Sequence, residues 1–330
     1  MTEATAAERA KERLVGAPYI AYFVALVLIA FLADPYAFTR SWNQGRSAML
    51  AIVPLVLLES GRRSLAPLGS RRKAMLGWLT LALAAVYYGC YTQPFVFNAV
   101  VGYGNQLGVA SSIVQFSWPW GIDYAVTSVF LVALLILDRS SRTVTPLIYT
   151  AGMATFLFID VVLPENTLGP FGYVVPPILR AVAGVLDWIY PGDAHSSGNI
   201  LMLHNSQGSM NLQVFWPSAG LDGIVIGLLV VFAICVKVGT GWRRGLAYML
   251  LGAVGSFLVN VVRLVLLALY AMSNITNPQA FQAFHSVVGE LIFIPWIVAF
   301  IVVIIRREAR ISGQARPSPP VPVRAPLSGP

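Results

Sequence analysis

Charge is what this sequence has least of. Only 11% of its 330 residues are Asp, Glu, Lys or Arg, against 57% hydrophobic, and the mean hydropathy is +0.72. A soluble domain with a wetted surface cannot be built from that balance, so lipid is the expected solvent for most of the chain. Cysteine is scarce too. Cys90 and Cys235 are the only two, with no CxxC and no Cys/His ligand spacing. That excludes a disulfide framework and a structural zinc site, and neither metal nor cofactor is expected. The net charge of +8 and pI near 9.7 do not imply nucleic acid, because the basic residues sit in short loops between apolar runs instead of on one folded face. No internal repeat is present.

A bilayer core requires about 20 apolar residues per helix. Runs at 17–33, 45–58, 74–92, 119–137, 145–163, 221–238, 245–271 and 286–305 meet or approach that length, with Pro54 interrupting the second. The fold expected is therefore all-α, a polytopic membrane helix bundle of about eight transmembrane helices. Asp34, Pro35 and Tyr36 follow the first run in place of a cleavage site, so it reads as a retained helix. Stretches 96–116 and 171–190 are broken by Gly, Asn, Gln, Pro, Arg180 and Asp187 and read as interfacial or re-entrant. With the N-terminus cytoplasmic, eight spans put 18 of the 22 Lys and Arg on the cytoplasmic side, as the positive-inside rule demands. A ninth span would break that asymmetry.

One domain is thus expected over 1–310, followed by a disordered, Pro-rich cytoplasmic tail at 311–330. The first sixteen residues read as the start of an interfacial helix. The insert 164–220 is too long for a plain connector. It carries two of the three histidines and an alternating run near Met210 to Phe215, and reads as a small extracytoplasmic cap with one or two strands.

Three polar residues stand where lipid penalises them. Arg263 lies in the outer half of the seventh span, one turn after Asn260; a guanidinium there costs about 2.5–3.5 kcal/mol on insertion scales, so it needs a partner or a wet cavity. His285 opens the eighth span, with Gly289 and Glu290 following, and Ser218 leads into the sixth just before Gly220 and Asp222. Taken singly, Ser218 reads as a helix cap, His285 as an interfacial residue, and Arg263 as glue paired with Asp160, Asp222 or Glu290. Together, a hydroxyl, an imidazole and a guanidinium at one surface supply the nucleophile, base and anion stabiliser of acyl transfer.

These motifs resemble the exosortase/archaeosortase family of membrane-embedded sorting transpeptidases. Pro217-Ser218-Ala219-Gly220-Leu221 matches the family's Cys-Ser-Gly type motif, Asn260-Val261-Val262-Arg263 its Asn-x-x-Arg, and His285-Ser286-Val287-Val288-Gly289 its His-x-x-x-Gly. The match covers residues 195 to 305; the first half is similar only in being a bundle of spans. Ser218 stands where the family has its nucleophilic Cys, and neither Cys235 nor Cys90 lies in a motif. A serine needs its base positioned to take the proton during attack, whereas a thiol of pKa about 8.5 ionises readily beside His or Arg.

The resemblance implies a peptidase or transpeptidase of the cell membrane whose active site faces outward. Ser218 would be the nucleophile, His285 the base and Arg263 the oxyanion or carboxylate stabiliser. Asn260, Gly220, Asp222, Gly289 and Glu290 would support them. The partner implied is a membrane-anchored protein with a C-terminal sorting signal, lying in the lipid bilayer beside the bundle. The alternative is a catalytically inactive relative that binds such a substrate or assists assembly. A transporter is disfavoured by the lack of an inverted repeat and by the gathering of polar residues at one face.

Overall fold

The computed structural model describes residues 18–40, 45–59, 68–109, 117–137, 144–162, 172–215, 217–275 and 277–314. Ten α-helices and three short strands occur among them. The helices are α1 (Tyr19–Ala33), α2 (Ile52–Glu59), α3 (Arg71–Tyr91), α4 (Pro94–Gln106), α5 (Ser117–Leu135), α6 (Thr145–Val162), α7 (Val175–Ile189), α8 (Asp222–Val238), α9 (Trp242–Ser273) and α10 (Pro278–Gln314). The strands are β1 (Ala194–Ser197), β2 (Ile200–Asn205) and β3 (Gly208–Gln213).

Five helical stretches are long and apolar enough to cross a membrane: Arg71–Tyr91, Ser117–Leu135, Thr145–Val162, Ala219–Val238 and Trp242–Ser273. They coincide with five of the expected spans. The other three take different forms. The first is a 15-residue helix, α1; the second opens as a 3-10 turn over Ser47–Ala51 before the eight residues of α2; the run 286–305 lies within the 37-residue α10, which contains Pro295. Helix α10 also runs to Gln314, four residues into the segment expected to be disordered. Arg306, Arg307, Glu308 and Arg310 favour helix, and no proline follows until Pro317. The expected interfacial helix over 1–16 and residues 315–330 lie outside the described residues.

The two interrupted stretches contain short helices. Pro94 and Pro176 stand in the first turns of α4 and α7, where a missing N–H leaves no bond unmade. Helix α7 is amphipathic: Val175, Ile178, Leu179, Val182, Ala183 and Leu186 are buried, while Trp188 is 86% exposed. Its buried face lies on β1 and α9. The insert holds three antiparallel strands in the order β1-β2-β3, more than the one or two expected. Only β3 carried a legible signal; β1 and β2 are four and six residues long. Asn205 closes the β2–β3 turn by accepting from the N–H groups of Gln207 and Gly208, and its Nδ2 donates to Met272 O at the end of α9.

Helix α9 is apolar all round, yet its two faces differ. Tyr248, Gly252, Ser256, Asn260, Leu264, Ala268 and Met272, spaced by four, are buried; Leu246, Leu250, Val254, Leu258 and Val262 are exposed. Hydrophobicity therefore does not sort the faces. Small residues do, since without a hydrophobic force between helices in lipid, close backbone approach drives packing. Gly252 lies against Phe300 and Gly255 against Trp296 of α10, whose rings stack at 5.2 Å. The Trp296 Nε1–H donates to Ser256 Oγ at 3.2 Å.

Polar pairs bind the first half together. Arg46 and Asp123, both fully buried, share two hydrogen bonds of 2.8 and 3.1 Å. Tyr88 OH and Thr127 Oγ1 are 2.8 Å apart, Ser128 donates to Thr150, and Ser117 donates to Asp160. At the opposite end of α9, Glu308 accepts from Tyr248 OH and pairs with Arg244. Cys235 is buried, whereas Cys90 is exposed on α3.

A side chain at position 255 has no room, so Gly255→Val is expected to destabilise the α9–α10 pair by about 1–3 kcal/mol, the usual cost of overpacking. Thermal unfolding in detergent measures this. The double variant Gly255→Val/Trp296→Ala should regain part of the loss, and equal stability of Gly255→Val and wild type would contradict the packing described.

Candidate functional site

The segment before α8 cannot continue as a helix. Pro217–Leu221 forms a wide turn in which Gly220 has φ +93°, a left-handed value that side chains resist. A Cβ there would also collide with the Asn260 side chain. Glycine is thus required twice over, for backbone freedom and for space. The same turn exposes the Ala219 carbonyl, and Asn260 Nδ2 donates to it. Asn260 is 6% exposed on the interior stripe of α9, and Ala219 is 1% exposed.

Arg263 follows one turn later. Its Nη1 reaches Asn260 Oδ1 at 3.5 Å, so one amide joins the turn before α8 to the guanidinium on α9. The third segment arrives through Gly289 on α10. A Cβ at that position would lie 3.0 Å from Arg263 Nε and 3.3 Å from Cζ, so glycine lets the helix rest on the guanidinium. His285 stands one turn earlier on α10, just ahead of the run 286–305, half-buried with its ring 6.0 Å from Phe281. Tyr270 and Phe284 stack beside it at 4.1 Å, fixing α10 on α9.

Burial, and then the positive charge of Arg263, push the His285 pKa below its usual 6.5. The neutral imidazole is the form that accepts a proton, so this environment suits a base. Chemically, the cluster offers a fixed cation for a developing oxyanion beside a neutral proton acceptor. Gly220, Asn260, Arg263, His285 and Gly289 are therefore brought together. The side chains of Ser218, Asp222 and Glu290 lie outside those described. Asp160, weighed as a partner for Arg263, is held by Ser117.

The sequence reading missed Arg46 and Asp123. Both were visible as charges in or beside apolar runs, and Arg46 is among the four basic residues off the cytoplasmic side in the eight-span scheme. His195 and His204 are exposed on β1 and β2. Among the described residues no group of three or more His, Cys, Asp or Glu is placed to hold a metal.

No family model matches the chain, and no curated protein or solved structure is significantly similar to it.

The folded His285 value lies below the unfolded one, so its contribution to stability is complete above about 6.5 and is lost as pH falls through the unfolded value toward the folded one. Replacing Arg263 with Gln removes the second cause and leaves burial. The imidazole midpoint, followed by histidine NMR in detergent with His195 and His204 assigned by substitution, should rise yet stay below 6.5. A midpoint that stays the same or falls would contradict a lowering of the His285 pKa by Arg263.

Proposed function

We propose that this protein is an exosortase/archaeosortase-like membrane peptidase or transpeptidase. It processes C-terminal sorting signals of membrane-anchored proteins. The supporting observation is the meeting of three motif-bearing segments. Asn260 grips the carbonyl of Ala219, the residue after Ser218, and Arg263 carries Gly289, one turn beyond His285. Segments distant in sequence have no packing reason to deliver an amide, a guanidinium and an imidazole to one place, where each must be desolvated.

In this reading Ser218 Oγ adds to the scissile carbonyl while its proton passes to His285. Arg263 stabilises the oxyanion. Collapse of the tetrahedral centre breaks the C–N bond, and the His285 proton leaves on the amine. Water or an acceptor amine then attacks the acyl-serine, with the neutral imidazole again as base. The bundle has eight spans in the cell membrane, both termini are cytoplasmic, and the site and three-stranded cap lie on the extracytoplasmic face. The substrate's own transmembrane helix lies alongside.

A second reading is favoured by one observation: the family's thiol is a hydroxyl here. In that case the chain binds the sorting signal or assists assembly without cutting.

A fluorophosphonate probe separates the two in the purified protein. Covalent labelling that disappears in Ser218→Ala and falls roughly 10²-fold or more in His285→Ala is expected, given what general-base catalysis contributes. Absence of labelling in folded wild type, or full labelling of Ser218→Ala, contradicts the peptidase reading. Maleimide labelling of Ser218→Cys, compared with Cys90 and Cys235 as internal references, reports whether the position is open to an electrophile.

A further inference from the structure

The first turn of α9 and the last turns of α10 lie side by side. Between them they carry Arg243, Arg244, Arg306, Arg307 and Arg310 against one carboxylate, Glu308. Glu308 is buried and already engaged, accepting from Tyr248 OH at 2.9 Å and pairing with Arg244 at 3.4 Å. Arg243, Arg306, Arg307 and Arg310 are exposed and form no ion pair among the described residues. Cations gathered at one place repel one another until an anion joins them.

Two contacts fix where this charge sits. The Arg307 guanidinium lies 5.8 Å from the Tyr248 ring, so Arg244 and Arg307 flank one buried tyrosine. The Arg243 guanidinium lies 5.4 Å from the ring of Trp242, which is itself 74% exposed. A guanidinium laid on an aromatic face keeps N–H groups at its edge for an acceptor.

Charge gives way to hydrocarbon within a turn or two on both helices. Leu246 and Leu250 on α9, and Val302 and Val303 on α10, are exposed. A free phosphate would meet the arginines and leave the aliphatic residues untouched. A zwitterionic lipid would cover the aliphatic residues but bring its own cation to the arginines. A molecule with an anionic head and hydrocarbon tails satisfies both, and an exposed Trp beside it is the residue type that settles at headgroup level.

We propose that this end of the α9–α10 pair binds an anionic phospholipid. Its phosphate accepts from the exposed guanidinia, and its acyl chains lie along the exposed aliphatic residues of the same two helices. The inference stands apart from the peptidase reading, because Arg263 lies roughly 30 Å further along α9.

Trp242 supplies the reporter. The full chain in a neutral detergent is titrated with phosphatidylglycerol whose acyl chains carry bromine, a contact quencher of tryptophan fluorescence. The Trp242 component is the wild-type signal less that of Trp242→Phe. Brominated phosphatidylcholine offers the same chains with no net charge, and glycerol phosphate, added as a competitor, offers the anion with no chains. Phosphatidylglycerol is expected to quench Trp242 at a concentration roughly tenfold or more below that of phosphatidylcholine, since each arginine beside an anionic headgroup contributes about fivefold. The double variant Arg243→Gln/Arg307→Gln should lose most of that preference and keep its phosphatidylcholine response. Arg244 is left intact, since its loss would strand Glu308. High salt should abolish the preference in the unaltered protein, a measurement that needs no variant to fold. Equal quenching by the two lipids, a preference that survives either the substitutions or high salt, or displacement of phosphatidylglycerol by glycerol phosphate at equal concentration overturns the proposal.

Discussion

In a helix bundle as apolar as this one, a polar side chain must find its partner inside the protein, and Asn260 is where that constraint is most concentrated. Its amide donates to the Ala219 carbonyl in the kinked turn at Gly220, and its oxygen turns toward Arg263. That one side chain ties the turn before α8 to the interior stripe of α9, and Arg263 beside it meets α10 at Gly289. Each group would be costly alone, since an unmatched polar group in an apolar interior loses several kcal/mol. Satisfied together they specify one arrangement of three helices.

The same rule organises the rest of the molecule at other points. Arg46 and Asp123 join the start of α2 to α5, Ser117 and Asp160 join α5 to α6, and Tyr248, Arg244 and Glu308 close the far end of α9 on α10. Between these polar clasps the contacts are made by small residues. Gly77 admits the Tyr22 ring, Gly152 admits Leu229, and Gly255 admits Trp296. Clasps determine which faces meet, and glycines determine how closely. A guanidinium held beside an imidazole at one place, and another held among aromatic rings elsewhere, are then side products of one packing logic with distinct chemistry.

What could be read from the amino acids followed from contrast. Arg263 and His285 stand out because almost everything near them is apolar, and Gly220 and Gly289 gain meaning only from motif spacing. Five helices long and apolar enough to cross a membrane were legible from run length. The weaker stretches were not, because α4 and α7 are short and α2 begins as a 3-10 turn. The sheet was half legible: β3 alternates over six residues, whereas β1 is too short to show a period. The Arg46–Asp123 pair was missed because its members are 77 positions apart, and no local pattern links them.

Composition alone pointed to a membrane environment, since 57% hydrophobic residues leave few polar groups to wet a surface. It also determined which side chains would be too costly to leave unpaired. Tertiary structure alone decided the pairings and the inward face of each helix. On α9 both faces are apolar, so hydrophobicity could not choose between them; the choice fell to steric fit, with Gly252 and Ser256 on one side and Leu250 and Leu258 on the other. Fit between surfaces is a property of two helices at once, and no single stretch of sequence contains it.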